Sequence, residues 1–192
     1  MTSQGQTLGV WEETPIAPAS SNAMRLHASH LATHWRRCSL SADFWAHYLS
    51  LYMPVSVRPG MLGREAVEYM ISYLLNELFE NCAKFSAGPI QTIYYQSWTL
   101  EERMVFQITN HITSAGQKPF INLIQEFLEG DLHELYFQRL EQNAELKRDG
   151  SGLGYLTLMK DYEIRFGFRF RPVETESVAV DVQAQVNLKK DE

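Results

Sequence analysis

Glu77, Asn81 and Lys84 stand four and three residues apart on one stretch of the chain. At roughly 100° per residue, that spacing lines a carboxylate, an amide and an ammonium along one edge of a helix. Such a row can hold a hydrated cation and a polyphosphate, because its oxygens suit magnesium, which keeps several waters and takes few protein ligands. The plainer reading is the solvated flank of an amphipathic helix, since charged residues border most apolar stripes. A second group is Gly150-Ser151-Gly152-Leu153-Gly154, directly before a helical stretch. Glycines at alternate positions expose successive backbone N–H groups, and a helix N-terminus adds positive potential, so the loop favours an anionic phosphate. Here too a plainer reading stands, that of an ordinary glycine-rich connection. The loop lacks the Gly-Lys-Ser/Thr ending of a Walker motif, and no strand leads directly into it as a dinucleotide fingerprint requires.

The elements that position these residues follow from hydrophobic periodicity. Val67, Ile71, Leu74, Leu78, Cys82 and Phe85 recur at spacings of three and four, which predicts a long helix over residues 64–85. Phe44, Trp45, Tyr48, Leu49 and Tyr52 predict an amphipathic helix over residues 41–53, with Ser41 or Asp43 as N-cap. Pro54, Pro59-Gly60 and Gly88-Pro89 break the chain. Residues 90–98 and 104–112 alternate and are joined by Thr99-Leu100-Glu101-Glu102, a hairpin pattern. Phe120, Leu123, Ile124 and Phe127 share a helical face, and Asp131 after Gly130 caps a further helix reaching residue 147. Beyond the glycine loop a short helix is expected over residues 155–162. Ile164, Phe166, Phe168 and Phe170, then Val178, Val180, Val182 and Val186, make two antiparallel strands.

Hairpins in place of strict βαβ alternation indicate an α/β fold: a two-layer α/β sandwich with a mixed, mostly antiparallel sheet. Residues 1–22 are rich in Thr, Ser, Gln, Gly, Pro and Ala and show no period, so they read as a loosely ordered arm. Trp11 is the residue there able to pin it to the rest. Residues 23–192 read as a single domain.

Bulk properties exclude several classes. A formal net charge of −6 leaves no basic surface for collecting phosphates, so nucleic acid is not an expected partner. No run of about 20 apolar residues is present and the N-terminus lacks a signal-peptide pattern, so a cytoplasmic protein without membrane insertion is expected. Cys38 and Cys82 fit neither a zinc spacing nor a disulfide framework. His27, His30 and His34 would share a face if helical and could take a transition metal, but no carboxylate or cysteine completes the set. Arg165, Arg169 and Arg171 fall on outward strand positions, as solubilising groups or as a patch for an acidic partner.

Taken together, Glu77 to Phe85 resembles the N box of the GHKL (Bergerat-fold) ATPase and kinase superfamily. Gly150 to Gly154 followed by a helix resembles its later G box, and the order of elements is similar. Glu77 four residues before Asn81 looks like the anti-sigma-factor serine kinases. Residues 76–86, 127–144 and 150–162 resemble the SiaB-like kinases and related single-domain cyanobacterial regulators. The resemblance implies ATP or ADP with magnesium as ligand and Asn81 on the metal. It makes Glu77 the general base and puts Lys84 against phosphate, with Gly150, Ser151, Gly152, Leu153 and Gly154 as the phosphate loop. It also implies a STAS-domain antagonist or another regulatory protein as partner, carrying the acceptor serine.

The family's adenine-recognising Asp-x-Gly-x-Gly is replaced here. Asn110 stands about where the aspartate would, and His111 and Ile112 fill positions that glycines open. An amide bonds an adenine edge without the charge. Two functions are therefore expected in competition. One is a Mg-ATP-dependent serine kinase in signalling; the other is a non-catalytic interaction regulator of the same fold with a degraded adenine site.

Overall fold

The computed structural model describes residues 5–15, 17–53, 60–87, 91–146, 152–174 and 176–189. The described strands are β1 (Gln6–Gly9), β2 (Ser20–His27), β3 (Thr92–Thr99), β4 (Arg103–Thr113), β5 (Arg165–Glu174) and β6 (Ser177–Asn187). They form one sheet in the order β1-β5-β6-β4-β3-β2. The antiparallel majority expected from the hairpins extends to every pairing. The described helices are α1 (Ala28–Thr33), α2 (Arg36–Ser50), α3 (Arg64–Phe85), α4 (Ser114–Glu129), α5 (Leu132–Leu146) and α6 (Leu153–Asp161). Together they make the two-layer α/β sandwich that the sequence predicts.

The core lies between α3 and the sheet's inner face. Val67, Ile71, Leu74, Leu78 and Cys82 are all buried, joined by Met70, Leu75 and Phe79. Phe85, the last member of the predicted stripe, is 59% exposed because the helix ends there, with the Ser86 N–H bonded to the Cys82 carbonyl. Opposite α3, Phe106 and Ile108 of β4, Tyr95 of β3 and Val180 and Val182 of β6 supply the sheet side of the core. Alternation along each strand decides which residues these are. The Asp131 carboxylate caps α5 as the sequence predicts, accepting from the N–H groups of His133 and Glu134 at 2.9 and 3.0 Å.

Three expectations need correction. The first concerns α2, which starts at Arg36 with Trp35 as N-cap, so Ser41 and Asp43 lie inside the helix and cap nothing. Its buried residues are Cys38, Ala42, Ala46, Leu49 and Ser50, whereas Phe44, Tyr48 and Tyr52 of the predicted apolar face are 61%, 36% and 44% exposed. Small residues let α2 lie close against α3, which turns the aromatics outward. Leu49 and, in part, Trp45 of the predicted face do join the core, so periodicity found the helix but not the centre of its buried face.

The second concerns residues 1–22, which are not simply a loose arm. Gln6–Gly9 pairs with β5 at one sheet edge, and β2 begins at Ser20 on the opposite edge. Between them the chain crosses the outer face as a strap. Its anchors step from strand to strand: Val10 N–H to the Phe166 carbonyl at 2.8 Å, then Glu12 N–H to Gln183 Oε1 at 2.9 Å. Next come Arg103 Nη2 to Glu12 Oε1 at 2.5 Å and Ala19 N–H to the Thr99 carbonyl at 2.8 Å. Trp11 does pin the strap, lying 4.2 Å beneath the Arg169 guanidinium. All these partners are remote in sequence, which is why no local period announces the strap.

Arg169 and Arg171 are not a free basic patch either, because both donate to the buried Asp181 carboxylate, Arg171 through two bonds at 2.7 and 2.8 Å. Burial pushes the Asp181 carboxyl up, but the bonds from Arg171 and Thr109 and the two guanidinium charges bring it below its ordinary value.

Strap and sheet meet closely at Gly167, where an added Cβ would sit 2.3 Å from the Val10 carbonyl oxygen and 2.8 Å from its carbon. Backbone cannot yield as a side-chain tip does. Gly167→Ala is therefore expected to raise amide hydrogen exchange over residues 6–12 while α3 and β4 keep their protection. Unchanged exchange in the strap would refute the close-contact account.

Candidate functional site

α3 carries the first group of candidates on the flank of its buried stripe. Glu77 and Asn81 are half-buried and Lys84 is exposed. α6 brings the second group. Gly152 is its N-cap, at φ +86°, a left-handed conformation that favours glycine. Leu153 and Gly154 form the first turn. Gly150 and Ser151 lie outside the described residues.

The two groups meet. An added Cβ on Gly154 would stand 1.9 Å from Glu77 Oε2 and 2.6 Å from its carboxyl carbon. A carboxylate thus rests over the first turn of α6, where the helix dipole is positive. One residue on, burial pushes the Tyr155 phenol up, and the Asn81 side chain lies near enough to oppose that rise. An amide has two donors and a two-lone-pair acceptor, so Asn81 has capacity for more than one partner. Tyr73 on α3 also lies against this end of the structure, its ring 5.8 Å from that of Tyr162, which follows α6. The Asn81 amide and the Glu77 carboxylate together are a hard-oxygen set of the kind magnesium takes.

Burial raises the Glu77 carboxyl above its ordinary value, the neighbouring Glu80 adds to the rise, and Lys84 opposes it. The Cys38 thiol, in the wall between α2 and α3, is pushed up to about 11 by burial and by Glu80, so it stays protonated at neutral pH.

Lys84 and Asn110 go elsewhere. Lys84 Nζ is 3.2 Å from Glu80 Oε2 and 5.7 Å from the Trp35 ring centroid, toward the start of α2. Asn110 lies on the inner face of β4, 5% exposed, with Nδ2 donating to Ser86 Oγ at 3.2 Å. Ser86 follows Asn81 by five residues, about 7 Å along a helix axis. The β4–β6 ladder runs unbroken from Arg103↔Asn187 to Thr113↔Ser177, so no opening interrupts it at Asn110. Ile112 shares the inner face with Asn110 and is buried, while His111 alternates to the outer face.

The three histidines do not share a helix face. His27 closes β2, His30 sits in the short α1, and His34 follows it as C-cap. Among the described residues no cluster of three or more His, Cys, Asp or Glu side chains is placed to hold a metal, and no helix is long and apolar enough to cross a membrane. Sequence reasoning overlooks Tyr155 and Glu80. Tyr155 directly follows the last glycine, and Glu80 lies one turn from Glu77, so adjacency to the two motifs was the available signal.

With this geometry established, the chain can be compared with known proteins. No family model and no curated protein matches it. Its fold is similar to a chain in the crystal structure of the SiaB–SiaC complex from Pseudomonas aeruginosa, with a TM-score of 0.57 and 13% identity. The match spans 85% of this chain and 89% of that one. At such identity the likeness is one of fold.

Two expected outcomes test this geometry. Gly154→Ala must displace the Glu77 carboxylate, whereas in a Glu77→Ala background it keeps only its helix-propensity advantage, about 1 kcal/mol. Urea denaturation of the four proteins is expected to show a coupling of opposite sign between the two sites; simple additivity would contradict the contact. The second outcome concerns pH. With the folded carboxyl raised above its ordinary 4.5, the native state holds its proton more tightly than the unfolded chain. The ionised form therefore lowers stability progressively as pH rises from the unfolded value through the folded one. Glu77→Gln is expected to raise Tm at pH 7 and to change it little at pH 4; an equal shift at both would rule out the ionisation account.

Proposed function

We propose that this chain is a signalling regulator that holds a magnesium–nucleotide between α3 and the N-terminus of α6 and acts on a regulatory protein. The observation that carries this reading is the meeting of Glu77 with Gly154 and of Asn81 with Tyr155. It brings the two sequence motifs to one place on the fold. The left-handed Gly152, with open space where a Cβ would stand, leaves the start of α6 accessible to phosphate oxygens beside the Glu77 carboxylate that rests on Gly154. Asn81 would ligate the metal, whose chemistry is to neutralise charge on the phosphates.

Glu77 fits a general base. Its raised affinity for a proton moves it toward the range where a carboxylate can accept one from an attacking serine hydroxyl or water. Under this reading the chain is a Mg-ATP-dependent serine kinase, with a STAS-type antagonist protein as substrate. The fold neighbour belongs to a two-protein complex, which supports a protein partner.

A second reading rests on Asn110. Its side chain is held by Ser86 within an unbroken ladder, so β4 provides neither the charge nor the opening for adenine recognition. A regulator that binds nucleotide weakly, or works through protein contact alone, is favoured by that observation. The two readings agree on one consequence: any nucleotide is held through its phosphates more than through its base.

Calorimetric titration separates them. Magnesium-dependent, saturable binding of ATP is expected, weakened more than about tenfold in Asn81→Ala, with GTP within about tenfold of ATP. Glu77→Gln is expected to keep binding while lowering phosphoryl transfer to a serine-bearing partner by about 10²–10⁴-fold. Absence of heat with millimolar nucleotide would eliminate the nucleotide reading and leave the interaction regulator.

A further inference from the structure

At the sheet edge away from β1, the eight residues of β2 pair, among the described residues, only with β3. Such an edge presents a row of backbone N–H and C=O groups to whatever lies beside it. A cleft of about 590 Å³ runs along it, walled on the other side by α1 and α2. Met24 and Leu26 of the inner face and Arg25 and His27 of the outer face all line this cleft, so it follows the free edge of the strand itself.

The chemistry of the lining is one-sided. Leu40, Phe44 and Trp45 give it an apolar floor, and its ionisable members among the described residues are Arg25, Arg37, His27 and His30, with no carboxylate. This is unusual for a chain of net charge −6. Among the described residues no ion pair joins Arg25 or Arg37 to a carboxylate. Arg25 is steadied over the Tyr94 ring at 5.0 Å, and Arg37 donates to the His30 carbonyl at 3.1 Å. Both guanidiniums are thus oriented with hydrogen-bonding capacity to spare. The floor continues outward along α2 and the turn after it, where Leu40, Phe44, Tyr48 and Tyr52 follow one another at four-residue steps, 36% to 61% exposed.

We infer that β2 and this cleft form a docking site for an extended, acidic segment of a partner protein. The segment adds as a further strand on β2, placing alternate apolar side chains against Phe44 and Trp45 and carboxylates on Arg25 and Arg37. Strand addition supplies affinity through the main chain, and the basic lining selects the acidic segment. A second copy of this chain is the poorer occupant. Pairing β2 with β2 would bring both sets of arginines into one interface, with no carboxylate in the lining to neutralise them. The inference is independent of the nucleotide site, which lies on the flank of α3 facing α6.

The test is to pan a random-peptide phage library on the purified full chain, with counter-selection on the Arg25→Glu/Arg37→Glu variant. The enriched peptides are then synthesised and their affinity read by fluorescence anisotropy. Enriched sequences are expected to alternate apolar and acidic residues. Their binding is expected to fall at least about tenfold in Arg25→Glu/Arg37→Glu and in Phe44→Ser. These positions are largely solvent-facing, so the variants should fold, and circular dichroism melts check it. N-methylating alternate peptide amides along one edge is expected to abolish binding, and along the other edge to leave it intact. Asn81→Ala is expected to bind the peptides as well as the parent does, which separates this site from the nucleotide site. Failure to enrich, enrichment of basic or unpatterned peptides, or binding indifferent to the variants would overturn the inference. So would a sedimentation-detected dimer that Arg25→Glu dissolves, because the occupant would then be a second copy.

Discussion

Burial of one long apolar stripe on α3 against the inner face of the sheet is the constraint from which the other contacts follow. Eight side chains of that helix, from Val67 to Cys82, are withdrawn from water. Each aliphatic one contributes about 1.5–3 kcal/mol by its removal. The stripe occupies less than the full circumference, so α3 has two flanks. On one, α2 closes in through Ala42 and Ala46. Toward the other, α6 approaches through Gly154 and Tyr155.

The candidate site exists because a polar edge borders this core. Glu77 and Asn81 are close enough to the apolar stripe to lose part of their hydration, yet they face the N-terminus of another helix. Partial burial raises the carboxyl, and the neighbouring Glu80 adds to the rise by like-charge repulsion. The absence of a side chain on Gly154 is what allows the carboxylate to rest over the helix end. Asn110 belongs to a different environment. It sits within a continuous β ladder and spends a hydrogen bond on Ser86 at the end of α3.

The sheet's outer face is managed by the N-terminal strap. β6 is buried along nearly its whole length, including Asp181, Gln183 and Gln185 on the face away from the helices. These polar groups stay compatible with burial because each has a partner. Asp181 takes two guanidiniums and Thr109, Gln183 takes both backbone groups of Glu12, and Gln185 donates to Gln183. The strap also joins the two sheet edges, running from β1 to β2, and it leaves the outer side of β2 unpaired beside the aromatic face of α2.

By itself the sequence determined the elements whose signal is local. The span of α3, the β3–β4 and β5–β6 hairpins, the Asp131 cap and the α/β class all follow from periodicity, turns and caps read over a few residues. It also singled out Glu77, Asn81, Gly152 and Gly154, because residue type and spacing on one helix or loop are local properties. Tertiary structure alone decided what depends on contacts between distant segments. It chose which stripe of α2 faces the core, since Ala42 and Ala46 fit against α3 where Phe44 and Tyr48 do not. It turned a stretch without period into a strap, through bonds to strands about 90 and 170 residues away. It set Lys84 over the Trp35 ring, and drew Tyr155 to Asn81. Such pairings arise only when packing brings separate elements within reach, and no pattern along one element encodes them.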